Sequence, residues 1–181
     1  ISVRRFGQRL TLLASLFIIL PSITVQAEEA AFVEKAATPA LLGELKAGGF
    51  VIYMRHGTSD SKIPDRVPDV DLNDCSTQRP LTDEGRKVMA SVGRSMRQAG
   101  IPVGEVQVSP MCRAKESAQL ALGRVEGLNI LLKYSSNMPS VQKQPALAYL
   151  KEQLLKPVPK GSNRVLVAHA PNLMDLIGYF P

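Results

Sequence analysis

Histidine occurs twice in this chain, and both times it stands at the carboxyl end of a short, unbroken apolar run. Phe50-Val51-Ile52-Tyr53-Met54 leads into Arg55-His56, and Val165-Leu166-Val167-Ala168 leads into His169. Continuous β-favouring runs of this length predict strands buried on both faces, as in a parallel sheet; a half-solvated strand would alternate. Elsewhere the period changes to that of a helix. Thr82 is a predicted N-cap, Asp83 and Glu84 suit the positive helix end, and Val88, Met89, Val92 and Met96 recur on one face until Gly100. A short strand is expected at Val106-Gln107-Val108. After it comes a helix with Ser109 as cap, Pro110 as first helical residue, Ala114, Ala118, Ala121 and Leu122 as buried stripe, and Gly123 as stop. A further strand fits Asn129 to Leu132, and helices fit Gln144 to Leu155 and Asn172 to Ile177. This alternation implies right-handed crossovers and an α/β fold, its mainly parallel central sheet covered by helices on both faces. Ligands of such folds bind beyond the carboxyl ends of the strands. Arg55-His56, Ser109 to Arg113, and His169 all follow predicted strands, so one rim gathers them.

The first stretch is of another kind. Arg4, Arg5 and Arg9 precede an apolar run from Leu10 to Leu20, a break at Pro21, and Val25-Gln26-Ala27 before two glutamates. This is the layout of a secretory signal peptide over residues 1–27, which leaves residues 28–181 as one domain in the periplasm or secreted. The alternative is an uncleaved anchor, but the run is shorter than the ~20 residues a membrane-crossing helix needs, so no stable membrane span is expected after cleavage. Loss of residues 1–27 lowers the formal charge from +6 to +3. What remains has no Trp and no basic cluster with interleaved aromatics, so nucleic acid is not an expected partner. Export also bears on Cys75 and Cys112, the two cysteines: an oxidising compartment favours a disulfide between them over two buried thiols. Residues 58–79 are rich in Pro and Asp, including Asp60, Asp65, Asp69, Asp71 and Asp74, and form either a lid over the rim or a solvated loop.

Two histidines at matched positions, one immediately after Arg55 and the other after Ala168, suit phosphoryl transfer. That reaction needs a nucleophile in line with the leaving oxygen and cations on the equatorial oxygens. An imidazole is largely unprotonated at neutral pH, and a guanidinium donates two parallel hydrogen bonds to an oxyanion. Arg55 and Arg113 are placed to do the second task, Arg113 in the first turn of a helix whose free N–H groups attract anions. The residues alone do not say which histidine attacks.

Four motifs in order, Arg55-His56-Gly57-Thr58, Leu81-Thr82-Asp83-Glu84-Gly85-Arg86, Ser109-Pro110-Met111-Cys112-Arg113-Ala114 and His169-Ala170-Pro171-Asn172, resemble the histidine phosphatase superfamily in its phosphoglycerate-mutase-like branch. The match runs from about Phe50 to Gly178 and is most similar to small exported phosphatases without a cap domain, some of which act on lipopolysaccharide core phosphates. The resemblance implies a three-layer α/β/α sandwich and needs no metal or other cofactor. It implies His56 as the phosphorylated nucleophile, Arg55, Arg113 and His169 on the phosphate oxygens, and Thr58 as a further substrate-binding residue. The expected partner is a small phosphorylated substrate or an envelope glycolipid phosphate. Many relatives carry a Glu after the third strand as proton donor, whereas no Asp or Glu occurs here between Glu126 and Glu152. Asp60 is the candidate in its place, with Glu126 second; without a working acid the chain would favour good leaving groups. Relatives also continue with another strand beyond the second histidine, so a sequence ending at Pro181 is expected to be a fragment. The expected activity is phosphate monoester hydrolysis. The alternatives are a non-catalytic phosphate-ester binding module of the same fold and, less favoured, a phosphoglycerate-type mutase.

Overall fold

The computed structural model describes residues 32–181, so the expected leader over residues 1–27 lies outside the described residues. In chain order the elements are α1 (Pro39–Ala47), β1 (Val51–Arg55), α2 (Asp83–Gln98), β2 (Val103–Val108), α3 (Cys112–Leu122), α4 (Ser140–Leu155), β3 (Asn163–Ala168) and α5 (Ala170–Ile177). The sheet is parallel with order β1-β3-β2. Central β3 is buried at every residue, and its side-chain alternation divides the core into two. Val165 and Val167 pack with Met89 of α2 and with Ala114, Ala118 and Ala121 of α3. Leu166 and Ala168 pack on the other face with Leu132, Leu150 of α4 and Leu173 of α5. Each fully buried Leu or Val contributes about 1.5–3 kcal/mol, so the two faces together close the expected α/β/α sandwich.

Local chemistry explains most boundaries. The Thr82 hydroxyl accepts from the Gly85 N–H at 2.9 Å and caps α2, with Asp83 and Glu84 in its first turn. Gly123 ends α3 in the left-handed conformation at φ 72°. The alanine stripe of α3 lets α2 come close: a methyl on Gly93 would overlap the Ala121 carbonyl.

Several expectations are corrected. The run Asn129 to Leu132 is not a strand; Leu128 makes a single parallel bridge to Val108 and Ile130–Leu132 turn as a 3-10 helix. The Asn129 carboxamide accepts from the Leu131 N–H at 2.9 Å and bends the chain, burying Leu132 while Ile130 stays exposed. Ser109 does not cap α3, and Pro110 is not its first residue: the helix begins at Cys112 with Met111 as cap, because the Ser109 hydroxyl is engaged elsewhere. Val88 is exposed, so the buried face of α2 runs through Gly85, Met89 and Gly93. β1 is only partly buried because it lies at the edge of the sheet. Helix α4 starts four residues earlier than expected and contains Pro145.

The registers Arg55↔Ala168 and Val108↔Val167 align the carboxyl ends of all three strands. The ladder continues one step further, since His56 N donates to Ala168 O at 3.1 Å and Ser109 N to Val167 O at 2.9 Å. Directly beyond, the turn after β1 crosses the start of α2 so closely that a Cβ on Gly57 would lie 2.7 Å from Gly85 O, and one on Gly85 would overlap Thr58 O. Gly85→Ala is therefore expected to lower stability by about 1–3 kcal/mol, the usual cost of overpacking, read as a shifted denaturant midpoint with unchanged slope.

Candidate active site

His56 is pinned by its own turn. Its Nδ1 lies 2.7 Å from the Gly57 carbonyl oxygen, which can only accept, so Nδ1 carries the proton and Nε2 keeps the lone pair. Arg113 Nε donates to that Nε2 at 3.3 Å. Both side chains are buried, at 6% and 1% exposure. Burial pushes the His56 pKa down to about 4, against the pull of the Gly57 carbonyl and with Arg113, Arg55 and Arg79 pushing the same way. The ring is thus neutral and nucleophilic at neutral pH. Hydrolysis of an aryl phosphate, corrected for ionisation of the ester, is expected to fall on acidification near pH 4 and not near 6.5, as read from a kcat/KM profile. The depression also sets a stability trend. Between about pH 6.5 and 4 the unfolded chain binds the proton and the folded one does not, so stability falls as pH drops through that window.

Arg113, second residue of α3, is held from the far side by Asp65. Its Nη1 donates to Asp65 Oδ1 at 2.9 Å, with both side chains almost fully buried. The same oxygen accepts from the Arg79 N–H at 2.8 Å. Segment 58–79 is therefore a wall of the site. Thr77 Oγ1 donates to Asp74 O at 2.8 Å, Gln78 Oε1 accepts from Cys112 N at 2.8 Å, and a Cys75–Cys112 disulfide with Cα atoms 5.7 Å apart ties the segment to the head of α3. Tyr134 lies with its ring centroid 5.5 Å from the Arg113 guanidinium carbon and 5.7 Å, edge-on, from the His169 ring.

His169 is fully buried, its ring centroid 5.1 Å from that of His56. The Tyr53 hydroxyl donates to the His169 carbonyl at 2.8 Å and accepts from its N–H at 3.2 Å, fixing the backbone. Its Nε2 lies 2.8 Å from Ser109 Oγ. When Ser109 donates in that bond, Nδ1 holds the ring proton and becomes a donor for an anion. Burial, then the charges of His56, Arg113, Arg79 and Arg55, keep the His169 pKa well below its ordinary value. Three buried nitrogens around this point have no protein partner among the described residues: Arg79 Nε, Arg113 Nη2 and His169 Nδ1. Buried polar atoms without a partner are costly, and each of the three can be a donor to an anion, His169 Nδ1 in the tautomer just described.

Of the residues singled out in the sequence, His56, Arg113 and His169 come together. Arg55 adds its charge to both histidines, but its Nη1 donates to the Pro181 carbonyl at 2.7 Å and its guanidinium carbon lies 5.6 Å from the Phe180 ring centroid. Thr58 is exposed and offers its carbonyl to Thr82 N at 2.9 Å. The Asp60 carboxylate accepts from Lys62 N at 2.9 Å, within its own turn, and Glu126 pairs with Arg124 at 3.0 Å. Neither bonds a histidine of the site. The carboxylate that does reach the site is Asp65, which no spacing marked out among the five aspartates. Arg79, Tyr53 and the role of Ser109 were also missed; Tyr53 alone left a trace, as the one hydroxyl in an apolar run. Among the described residues no group of three or more His, Cys, Asp or Glu is placed to hold a metal ion, and no helix is long and apolar enough to cross a membrane.

Solved structures are similar to this one. A candidate alpha-ribazole-5'-P phosphatase from Escherichia coli str. K-12 superposes over 71% of this chain and 77% of its own, with 15% identity and a TM-score of 0.50. The protein histidine phosphatase SixA complexed with tungstate is similar over 71% and 74% of the two chains, at 17% identity and a TM-score of 0.44. The product of open reading frame Rv3214 from Mycobacterium tuberculosis is similar over 70% and 77%, at 18% identity and a TM-score of 0.45. No protein-family model matches the chain, and no curated protein matches it in sequence. At 15% identity and a TM-score of 0.50, the first of these likenesses shows the fold alone.

Proposed function

We propose that the chain is a histidine phosphatase that hydrolyses phosphate monoesters through a phosphohistidine on His56, working in the periplasm or secreted. The observation that carries this reading is the convergence of a neutral imidazole lone pair and a buried guanidinium, His56 Nε2 and Arg113 Nε, at 3.3 Å on the strand rim. In the first step Nε2 attacks phosphorus, the P–O bond to the leaving group breaks, and the departing oxygen takes a proton. Water then attacks phosphorus and the N–P bond breaks. One proton of that water stays on the inorganic phosphate and the other is released, balancing the first. Guanidinium and histidine N–H donors stabilise the charge on the equatorial oxygens throughout.

Asp65 Oδ1 is already engaged by Arg113 Nη1 and the Arg79 N–H, and neither Asp60 nor Glu126 bonds a histidine of the site. Substrates with good leaving groups, aryl phosphates and phosphoramidates, are therefore favoured. Next to Asp65 and Tyr134, two side chains that contact Arg113, lies a cavity of about 260 Å³ lined also by Val67, Met111 and Lys133. Export rests on the leader-like residues 1–27 and agrees with the Cys75–Cys112 bond.

Rapid quench with a labelled aryl phosphate is expected to trap acid-labile, base-stable label on the protein, followed by release of inorganic phosphate. A panel of phosphosugars, phosphohistidine peptides and glycolipid core phosphates then ranks substrates. Tight ester binding without label would replace this reading by a non-catalytic binding module. Conversion of 3-phosphoglycerate to 2-phosphoglycerate would replace it by a mutase.

A further inference from the structure

We propose that Arg79 is a phosphate-binding residue of this site, its guanidinium donating to non-bridging oxygens of the phosphoryl group beside Arg113. The inference rests on the phosphatase reading above and deepens it. Arg79 comes from the long segment after β1, in none of the strand-end positions that supply the other groups, yet its main chain is fixed to the pocket. Its N–H donates to Asp65 Oδ1 at 2.8 Å, the oxygen that also takes Arg113 Nη1 at 2.9 Å. The residue before it is locked as well: buried Gln78 accepts from Cys112 N at the head of α3 and donates to Asp71 O at 2.7 Å. On the other side, Pro80 O accepts from Asp60 N at 2.9 Å.

The side chain behaves as a ligand-binding group and not as a surface ion pair. Among the described residues no carboxylate lies within 4.0 Å of its charged nitrogens, and its Nε is buried without a partner. A buried, unpaired N–H on a cation is retained where an anion supplies the acceptor. The other two orphaned nitrogens, Arg113 Nη2 and His169 Nδ1, belong to the site already described, and a phosphoryl group presents three non-bridging oxygens to these three donors. The Arg79 charge also depresses the pKa of His56, Arg113 and His169 alike, which places its guanidinium within electrostatic reach of all three. Arg55, by contrast, has its guanidinium turned to the Pro181 carbonyl and the Phe180 ring. The pocket thus offers a dianion two arginines from two elements, one on α3 and one on the disulfide-tied segment.

The test compares the wild type with Arg79→Ala, Arg79→Lys and, as a control for lost charge, Arg94→Ala on the exposed face of α2. Inorganic phosphate is the probe, by direct calorimetry and by inhibition of aryl phosphate hydrolysis. Arg79→Ala is expected to weaken phosphate binding on the order of 10- to 100-fold, the worth of a charge-assisted hydrogen bond. Arg79→Lys is expected to recover part of it, a point charge replacing a planar fork, and Arg94→Ala to change nothing. The acid limb of kcat/KM should also move to higher pH in Arg79→Ala, because a cation next to His56 is gone. Phosphate binding within twofold of wild type in Arg79→Ala overturns the proposal. Should that variant not fold, Arg79→Lys decides: unchanged melting with several-fold weaker phosphate supports it, and wild-type affinity overturns it. A wild type that binds phosphate but never hydrolyses an ester or takes up label would sink the phosphatase reading, while the calorimetry still settles Arg79.

Discussion

Replacing His56 by alanine is expected to cut single-turnover hydrolysis of an aryl phosphate by about 10⁴-fold or more, as loss of a nucleophile does when only binding and electrostatics remain. The acid-labile label on the protein should vanish with it. The geometry makes the effect chemical and not structural. His56 is neutral in the fold, and its ring has two bonds: Nδ1 to the carbonyl of the next residue, and Nε2 from Arg113. Its removal leaves the Arg113 Nε–H without an acceptor, the Gly57 carbonyl without its donor and a small cavity, a stability loss of about 2–4 kcal/mol. The peptide N–H that continues the ladder to Ala168 is untouched. The measurement is therefore a pair: turnover with label trapping, and a denaturant midpoint showing that the variant still folds. A folded His56→Ala protein retaining more than a tenth of wild-type turnover would remove His56 as the nucleophile. His169→Ala is expected to lose less, because it withdraws a charge-stabilising donor while the attacking nitrogen remains, and to keep a detectable label.

The parts of this site that could be read from the sequence are those fixed by strands. An apolar run predicts a buried strand, a buried parallel strand predicts a functional carboxyl end, and the residue after it is then a candidate whatever its partners. His56 and His169 follow from that alone, and Arg113 from its position at the head of a helix. The parts that could not be read depend on contacts across the chain. Asp65 meets Arg113 from 48 residues away, Ser109 meets His169 from 60, and no local pattern separates Asp65 from the other aspartates of its segment. Arg79 carried no mark of its own in a segment readable as either a lid or a solvated loop, since the disulfide and Gln78 that hold the segment down act over 37 and 34 residues. The misread elements have the same origin on a smaller scale. Asn129 to Leu132 had strand composition, but a carboxamide bonding two residues ahead offered the backbone an alternative turn. Ser109-Pro110 had the look of a helix start, but the buried hydroxyl was needed at His169, so the helix opens two residues later.

Arg113→Ala is expected to fail twice, and the two failures can be separated. Chemically it removes the guanidinium that touches His56 Nε2, for which a loss of about 10³-fold in kcat/KM is typical of an arginine on a transferred phosphoryl group. Structurally it strands Asp65, whose carboxylate is 7% exposed and loses the Nη1 donor at 2.9 Å. Breaking one side of a buried pair costs about 3–5 kcal/mol because the remaining charge is uncompensated. For a domain whose whole stability is of order 5–15 kcal/mol, that shift alone can depopulate the fold at assay temperature. The double variant Arg113→Ala with Asp65→Asn distinguishes the causes. Asparagine is neutral, keeps an oxygen for the Arg79 N–H, and should restore most of the denaturant midpoint, while kcat/KM stays at the Arg113→Ala level. Asp65→Asn alone leaves the cation buried and should cost stability on a similar scale, so the two single changes are strongly non-additive in the midpoint. Additive midpoints would mean that Asp65 and Arg113 do not act as a pair. Recovery of activity in the double variant would mean that Arg113 serves only to neutralise Asp65 and has no part on the phosphoryl oxygens.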